Sequence, residues 1–525
     1  MSTVTATRTD ISMEGQAIAS PKAISKGNAA SGSYRSILKS TSLIGGASVA
    51  NILIGMVRTK FVAILLGPSG VGLMGMYTQV VTLITTISGM GLSQSGVRQV
   101  AEAVGTGNDE RVARTVLTLR RTVWLTGILG LSAMLIFCVP ISRISFGNSE
   151  HALAIALLGG TILLAAITSG QACVLRGTRR IADLAKISVI GAINGTIISI
   201  PCFYFWGQRG IVVSLIVCAV ASLGTSWWFA RRVHIKRIAL SWHGSTEEAR
   251  RLLTLGLAFM GAGVVTALSE YLIRVLLLRE FSLQEVGIYQ AAFGLSGVLV
   301  GFVLTAMSTD YYPRLTAIAE DDAMVSQMVN EQSEVSLLLA LPPLAAMMVF
   351  APLIIRVFYA GSFVAAIPVL RWCLLGVLGR VISWPLGFVI MAKGRGRLFF
   401  ITVMMAAAAH VIAVYCFTSV WGLAGTGIAF MALYVVYTVF VLGLMHHLVG
   451  ATWTPHTVTL VVLSMAVMAA LMLICNLGTS PAVYWGISLT VLGVITYCCT
   501  MQLSHKSGIS WNSLLVRLGA VTPAK

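Results

Sequence analysis

The stretch ALAIALLGGTILLAAITSGQACVLR, residues 152–176, holds no charged side chain before its last residue, Arg176. At about 1.5 Å of rise per helical residue, a run of this length crosses the roughly 30 Å hydrocarbon core of a bilayer. Backbone polar groups in hydrocarbon must be paired internally, which leaves helices or closed barrels. Barrel strands run about 10 residues with strict alternation, a pattern absent from this stretch. It reads as a transmembrane helix.

Outward from it, the same kind of run recurs. The chain has 525 residues, 57% hydrophobic and only 10% charged, with mean hydropathy +0.88. Soluble domains carry about 25% charged residues. Candidate spans fall at 42–66, 72–97, 121–140, 152–176, 186–206, 210–230, 252–278, 286–312, 335–358, 363–391, 398–418, 422–446, 456–476 and 481–503. The expectation is an all-α polytopic membrane protein of about 14 transmembrane helices. Its connections are too short for a separate catalytic domain. Residues 1–41, rich in Ser, Thr, Ala and Gly, read as a disordered tail with no cleaved signal peptide.

The net charge of +18 has a topological meaning. With the N-terminus placed in the cytoplasm, only Arg143, Arg209, Arg279 and Arg356 fall on the far side. Arg58, Lys60, Arg274, Arg371 and Arg380 fall inside the runs, and the rest of the 36 Lys and Arg residues fall on the near side. Lys and Arg accumulate in cytoplasmic loops, so both termini are expected in the cytoplasm. The basic loops then need no nucleic acid to explain them, and membrane lipids are their expected contacts. The nine cysteines lie mostly in apolar runs and read as small core residues.

The two halves match at a nearly constant offset. Val71-Gly72 matches Val286-Gly287, Ser93 matches Ser308, and Trp206-Gly207 matches Trp421-Gly422, each at 215 residues. Arg98 matches Arg314 at 216, and Arg176-Gly177 matches Lys393-Gly394 at 217. The reading is a duplicated six-helix unit: lobes at 42–232 and 252–448, a cytoplasmic linker at 233–251, two additional helices at 449–505 and a tail at 506–525. An even number of spans per unit gives parallel repeats about an axis along the membrane normal. Duplicated halves suit alternating access around a site near the midplane.

Gly67-Pro68-Ser69-Gly70-Val71-Gly72, Gly89-Met90-Gly91 leading to Val97-Arg98, Leu175-Arg176-Gly177, Gln284 through Gln290, Tyr312-Pro313-Arg314-Leu315 and Trp421 through Gly425 together resemble polysaccharide flippases of the Wzx type. The segments around 284–315 look close to the enterobacterial common antigen translocase branch. The likeness spans about residues 40–445. It implies the multidrug/oligosaccharidyl-lipid/polysaccharide exporter superfamily, with two six-helix lobes in a V around a central cavity. It implies an undecaprenyl-pyrophosphate-linked oligosaccharide as cargo, moved from the cytoplasmic to the periplasmic leaflet of the bacterial inner membrane for O-antigen or other lipopolysaccharide assembly. A polysaccharide polymerase and a chain-length regulator are implied as partners. The chain departs from many of these flippases, which have 12 helices; 14 is similar to lipid II flippases.

A charge at the centre of a spanning helix costs about 2.5–3.5 kcal/mol, so each embedded one needs a partner, a wet cavity or a function. Arg58 and Arg274 occupy matching depths in the two repeats and are the first candidates for the pyrophosphate, which Arg meets with a bidentate fork. Lys60 lies roughly 200° around the helix from Arg58 and reads as a snorkelling residue. Arg380 is a further cavity candidate, and Arg371, nearer the outer end, reads as snorkelling. Glu270 and Arg274 are i and i+4, so they can pair. Glu270 is the candidate coupling-ion or proton site. Asp310 is a weaker one, since it can instead pair with Arg314. His410 and His446-His447 lack partners at ligand spacing, so no metal and no cofactor is expected. The excess of embedded cations argues against a multidrug or cation antiporter. The short outer loops argue against a polymerase or ligase. No GxxxxGK[ST] motif appears, and the chain is not expected to be an enzyme.

Overall fold

The computed structural model describes residues 26–233, 235–236, 242–476 and 481–507. The described residues form helices and their connections. In chain order these are α1 (Lys26–Ser88), α2 (Leu92–Gly105), α3 (Asp109–Ile136), α4 (Cys138–Phe146), α5 (Ala152–Gly177), α6 (Ile181–Trp206), α7 (Gly210–Ala230) and α8 (Trp242–Glu280). Then come α9 (Leu283–Ala317), α10 (Asp322–Val349), α11 (Ala351–Phe358), α12 (Ala366–Ala392), α13 (Gly396–Trp421), α14 (Ala424–Val449), α15 (Pro455–Asn476) and α16 (Pro481–Ser507).

Eleven stretches among the described residues are long and apolar enough to cross a membrane. Two of them hold two helices each. Gly45–Ser88 breaks at Gly67, whose φ of 65° and ψ of −176° are not helical. Ile181–Ala230 breaks at the single 3₁₀ turn Gly207–Arg209. Dividing both, and counting the 35-residue α9, gives the 14 spans expected from hydropathy. Large apolar side chains face outward, among them Leu153, Ile136 and Val439, while Ser and Thr side chains are buried inside the bundle. This inverts the soluble pattern and suits a lipid surround.

Several boundaries differ from those read in the sequence. α1 begins at Lys26, inside the stretch read as a tail, and residues 1–25 and 508–525 of the expected tails lie outside the described residues. The run 72–97 is interrupted at Met90 and Gly91, which have positive φ, and continues as the amphipathic α2. The spans expected from 121 and 335 begin earlier, at Asp109 and Asp322. Asn108 and Asp321 cap them, each accepting two backbone N–H groups at the helix start.

The duplication is visible in the backbone. Gly207 (φ 54°, ψ −131°) and Gly422 (φ 57°, ψ −143°) end α6 and α13 in the same unusual conformation. Arg179 and Gly394, 215 residues apart, both have positive φ. That corrects the offset of 217 taken from Arg176-Gly177 and Lys393-Gly394. The short α4 and α11 also correspond. Within the first half α3 packs on α5 and α6 on α1 and α7; within the second, α12 packs on α9, α10 and α14, and α13 on α8 and α14. The halves meet where α1 packs on α8 and α9; the additional helices α15 and α16 pack on α10 of the second half.

Candidate functional site

The two halves touch closely at a pair of glycines that the repeat already relates. A Cβ on Gly72 would fall 2.1 Å from the Leu283 carbonyl oxygen and 3.0 Å from the Gly287 nitrogen. A Cβ on Gly287 would fall 1.9 Å from the Pro68 carbonyl oxygen and 3.0 Å from the Gly72 nitrogen. The reciprocity is that of a local two-fold axis, and only glycine allows it. Polar contacts surround this crossing at the end of the bundle opposite the basic loops. Lys60 Nζ donates to the carbonyls of Arg356 and Tyr359 at the end of α11. Arg279 donates to the carbonyls of Arg143 and Ile144, both at 3.0 Å. Tyr271 and Ser145 share a hydrogen bond of 2.7 Å. Each joins one half to the other.

Below this seal, α8, α9, α12, α13 and α14 enclose a cavity of about 420 Å³. Glu270 and Arg380 bring charge to its wall, His410 an imidazole, and Trp384, Phe430 and Tyr434 aromatic faces. Glu270 is set there by Arg274, one helical turn on. Arg274 is only 5% exposed. It donates from Nε and Nη2 to Gln290 Oε1 at 3.1 and 2.9 Å, and from Nη1 to the Glu270 carbonyl at 2.9 Å. The Glu270 carboxylate lies 3.6 Å from Nη1 with its side chain 38% exposed. Arg274 is therefore a fixed buried cation, and Glu270 is the charge that faces the space. Such an arrangement can hold a cation or a proton at Glu270 and an anion at Arg380.

A second, uncharged cavity of about 330 Å³ lies in the first half and is bordered by α8. Thr85, Ser88, Thr126 and Ser169 line it, and the Thr85 hydroxyl is buried without a partner.

The remaining sequence candidates go elsewhere. Arg58 is half-buried against α6, where its Nη1 lies 3.2 Å from the Cβ position of Gly195. The repeat-matched Arg58 and Arg274 thus face different partners. Lys60 is a clamp between halves. Asp310 pairs with Arg314 at 3.1 Å, 75% exposed, and does not line the cavity of Glu270. Arg371 does not snorkel: it is 6% exposed and donates to the Cys475 carbonyl and Asn476 Oδ1 at 3.2 and 3.0 Å. That fixes the end of α15. The other end of α15 is held by a buried cluster absent from the sequence reading. Thr457 donates to Glu334 Oε1 at 2.8 Å, and Asn330 accepts from the Thr454 backbone at 2.9 Å. The sequence does not single out Glu334, because the span expected at 335–358 begins one residue beyond it. His410 has no partner at metal-ligand spacing in the sequence; the structure sets its ring beside Phe430 in the cavity wall.

Comparisons with known proteins fit this architecture. Over 418 residues the chain is 23% identical to the lipid III flippase of Escherichia coli (strain K12), covering 77% of this chain and 96% of that protein. Over 354 residues it is 22% identical to stage V sporulation protein B of Bacillus subtilis (strain 168), covering 62% and 68%. Among solved structures it resembles the lipid II flippase MurJ in an inward closed conformation, with TM-score 0.65, 12% identity and coverage of 89% and 99%. It also resembles an inward-facing multidrug resistance MATE family transporter of the MOP superfamily, with TM-score 0.62, 15% identity and coverage of 76% and 98%. These structures share the fold. The family described as "Polysaccharide biosynthesis protein" matches residues 61–368, more than half of the 525, and the chain belongs to it.

Proposed function

We propose that the chain is a flippase that carries a saccharide, linked through pyrophosphate to a polyprenyl lipid such as undecaprenol, from the cytoplasmic to the periplasmic leaflet of the inner membrane. The observation that carries this reading is the membrane-embedded cavity presenting Arg380 and Glu270 among aromatic side chains. An amphipathic anion matches such a wall, because Arg meets phosphate oxygens and aromatic faces take apolar surface. The hydroxyl-lined cavity of the first half suits uncharged sugar hydroxyls. The lobes 42–232 and 252–448 are the moving bodies, with both termini in the cytoplasm. Glu270 couples the movement to an ion gradient. A polysaccharide polymerase and chain-length regulator take the product. The E. coli relative, named a lipid III flippase and matched over 96% of its length, supports the cargo class.

The test is deletion followed by identification of the lipid-linked intermediate that accumulates. A pyrophosphate-linked oligosaccharide supports the reading, and unchanged intermediates overturn it. Arg380→Ala, expressed normally, is expected to lower polysaccharide assembly by about tenfold, the effect of losing one charge-assisted contact. A second reading, transport of a peptidoglycan precursor, is favoured by the added pair α15–α16 and by the 89% coverage against the lipid II flippase. Under it, the deletion strain accumulates lipid II instead.

A further inference from the structure

A separate concavity lies on the first half alone. It is a groove of about 1070 Å³ between α3, α5, α7 and the segment following α7, with no lining residue from the second half. Among the described residues Arg120, Arg231 and Lys236 line it, and no carboxylate does. Among the described residues none of the three makes an ion pair. Arg231 is held by stacking, with its guanidinium carbon 3.9 Å from the Trp228 ring centre and 5.1 Å from that of Trp227. Stacking fixes the plane of a guanidinium and leaves its N–H edges for an anion. Trp124 and Trp227 flank the groove, half exposed, as aromatic side chains do at the headgroup level of a bilayer. Between the cations and the membrane interior the walls are apolar, and the floor is open at Gly224, where nothing lies within 4 Å of a Cβ position. From Gln171 back to Leu163 along α5 the trough is about 12 Å deep.

Three unneutralised cations above an apolar trough define a ligand with an anionic head and a hydrocarbon chain. We propose that this groove holds an anionic phospholipid of the leaflet facing the basic loops, with its phosphate among Arg120, Arg231 and Lys236 and an acyl chain over Gly224. The occupant is a resident phospholipid rather than the transported lipid, because no residue that lines the groove also lines the cavity of Glu270. The proposal stands independently of the transport reading.

The test is native mass spectrometry of the purified full chain titrated with phosphatidylglycerol and, separately, phosphatidylcholine of equal acyl length. Each basic residue near a headgroup is worth about a fivefold change in binding. Wild type is expected to prefer phosphatidylglycerol by more than tenfold. Arg120→Ala with Lys236→Ala is expected to reduce that preference to about fivefold, the share of Arg231, while Arg120→Lys largely keeps it. Gly224→Leu fills the trough without touching charge and is expected to weaken phosphatidylglycerol binding about tenfold. Equal retention of the two lipids by wild type overturns the proposal, as does unchanged binding in both the double variant and Gly224→Leu. Displacement of phosphatidylglycerol by equimolar undecaprenyl pyrophosphate, abolished by Gly224→Leu, overturns the assignment to a resident phospholipid.

Discussion

Glu270 and Arg274 share one face of α8 but not one environment. The arginine is buried with its donors on Gln290 and the Glu270 carbonyl, whereas the carboxylate reaches the cavity. Glu270→Gln removes the carboxylate from that wall while Arg274 keeps its hydrogen bonds to neutral oxygens. Because Glu270 is 38% exposed and 3.6 Å away, the stability loss is expected to be small, about 1 kcal/mol. Transport in vesicles is expected to lose its dependence on an imposed ion gradient; a variant that keeps the full dependence refutes the coupling role. The sequence shows five embedded cations and sorts them only by depth and helix face. What separates them is distant in the chain: Lys60 finds carbonyls 296 and 299 residues away, and Arg371 finds an amide 105 residues away. Hydropathy locates such charges within a helix, but only tertiary packing supplies their partners.

At the scale of elements, the repeat was legible because glycine leaves a mark wherever backbones touch. The matched Val71-Gly72 and Val286-Gly287 lie where α1 crosses α9. The spans were legible for a different reason, since hydrocarbon demands long apolar helices and loop charge fixes their alternation. Their ends were not, because capped polar starts such as Asn108 and Asp321 read as loops when no packing is visible. Gly72→Ala places a methyl group about 2 Å from a carbonyl oxygen, so the crossing must separate at a cost of about 1–3 kcal/mol. The expected result is normal insertion, with the end of the bundle near Gly72 labelled more readily by an impermeant thiol reagent. α15 gives a second case. Arg371→Met leaves the Cys475 carbonyl and Asn476 without their donor and is expected to cost about 1–3 kcal/mol. Faster hydrogen exchange confined to α15 is the measurement. Unchanged exchange there means that Arg371 does not hold the helix.

For the molecule as a whole, alternating access requires that the contacts joining the halves at one end break while those at the other form. The contacts Lys60 to Arg356 and Tyr359, Arg279 to Arg143 and Ile144, and Tyr271 to Ser145 all cross between halves at the end opposite the basic loops. They hold that end shut. Lys60 contributes a charged donor to two carbonyls, and a charge-assisted hydrogen bond is worth about 1.5–3 kcal/mol. Lys60→Ala is therefore expected to raise the population open at that end by about tenfold or more, since each 1.4 kcal/mol is a factor of ten. Thr266, on the wall of the Glu270 cavity, reports the change: Thr266→Cys on a cysteine-free background, treated from outside the cell with an impermeant thiol reagent. Labelling faster by that factor in Lys60→Ala supports a seal that opens as a unit. Equal labelling with and without Lys60 means that the glycine crossing and the other contacts between the halves hold that end, and that the Lys60 contact follows the movement without setting its equilibrium.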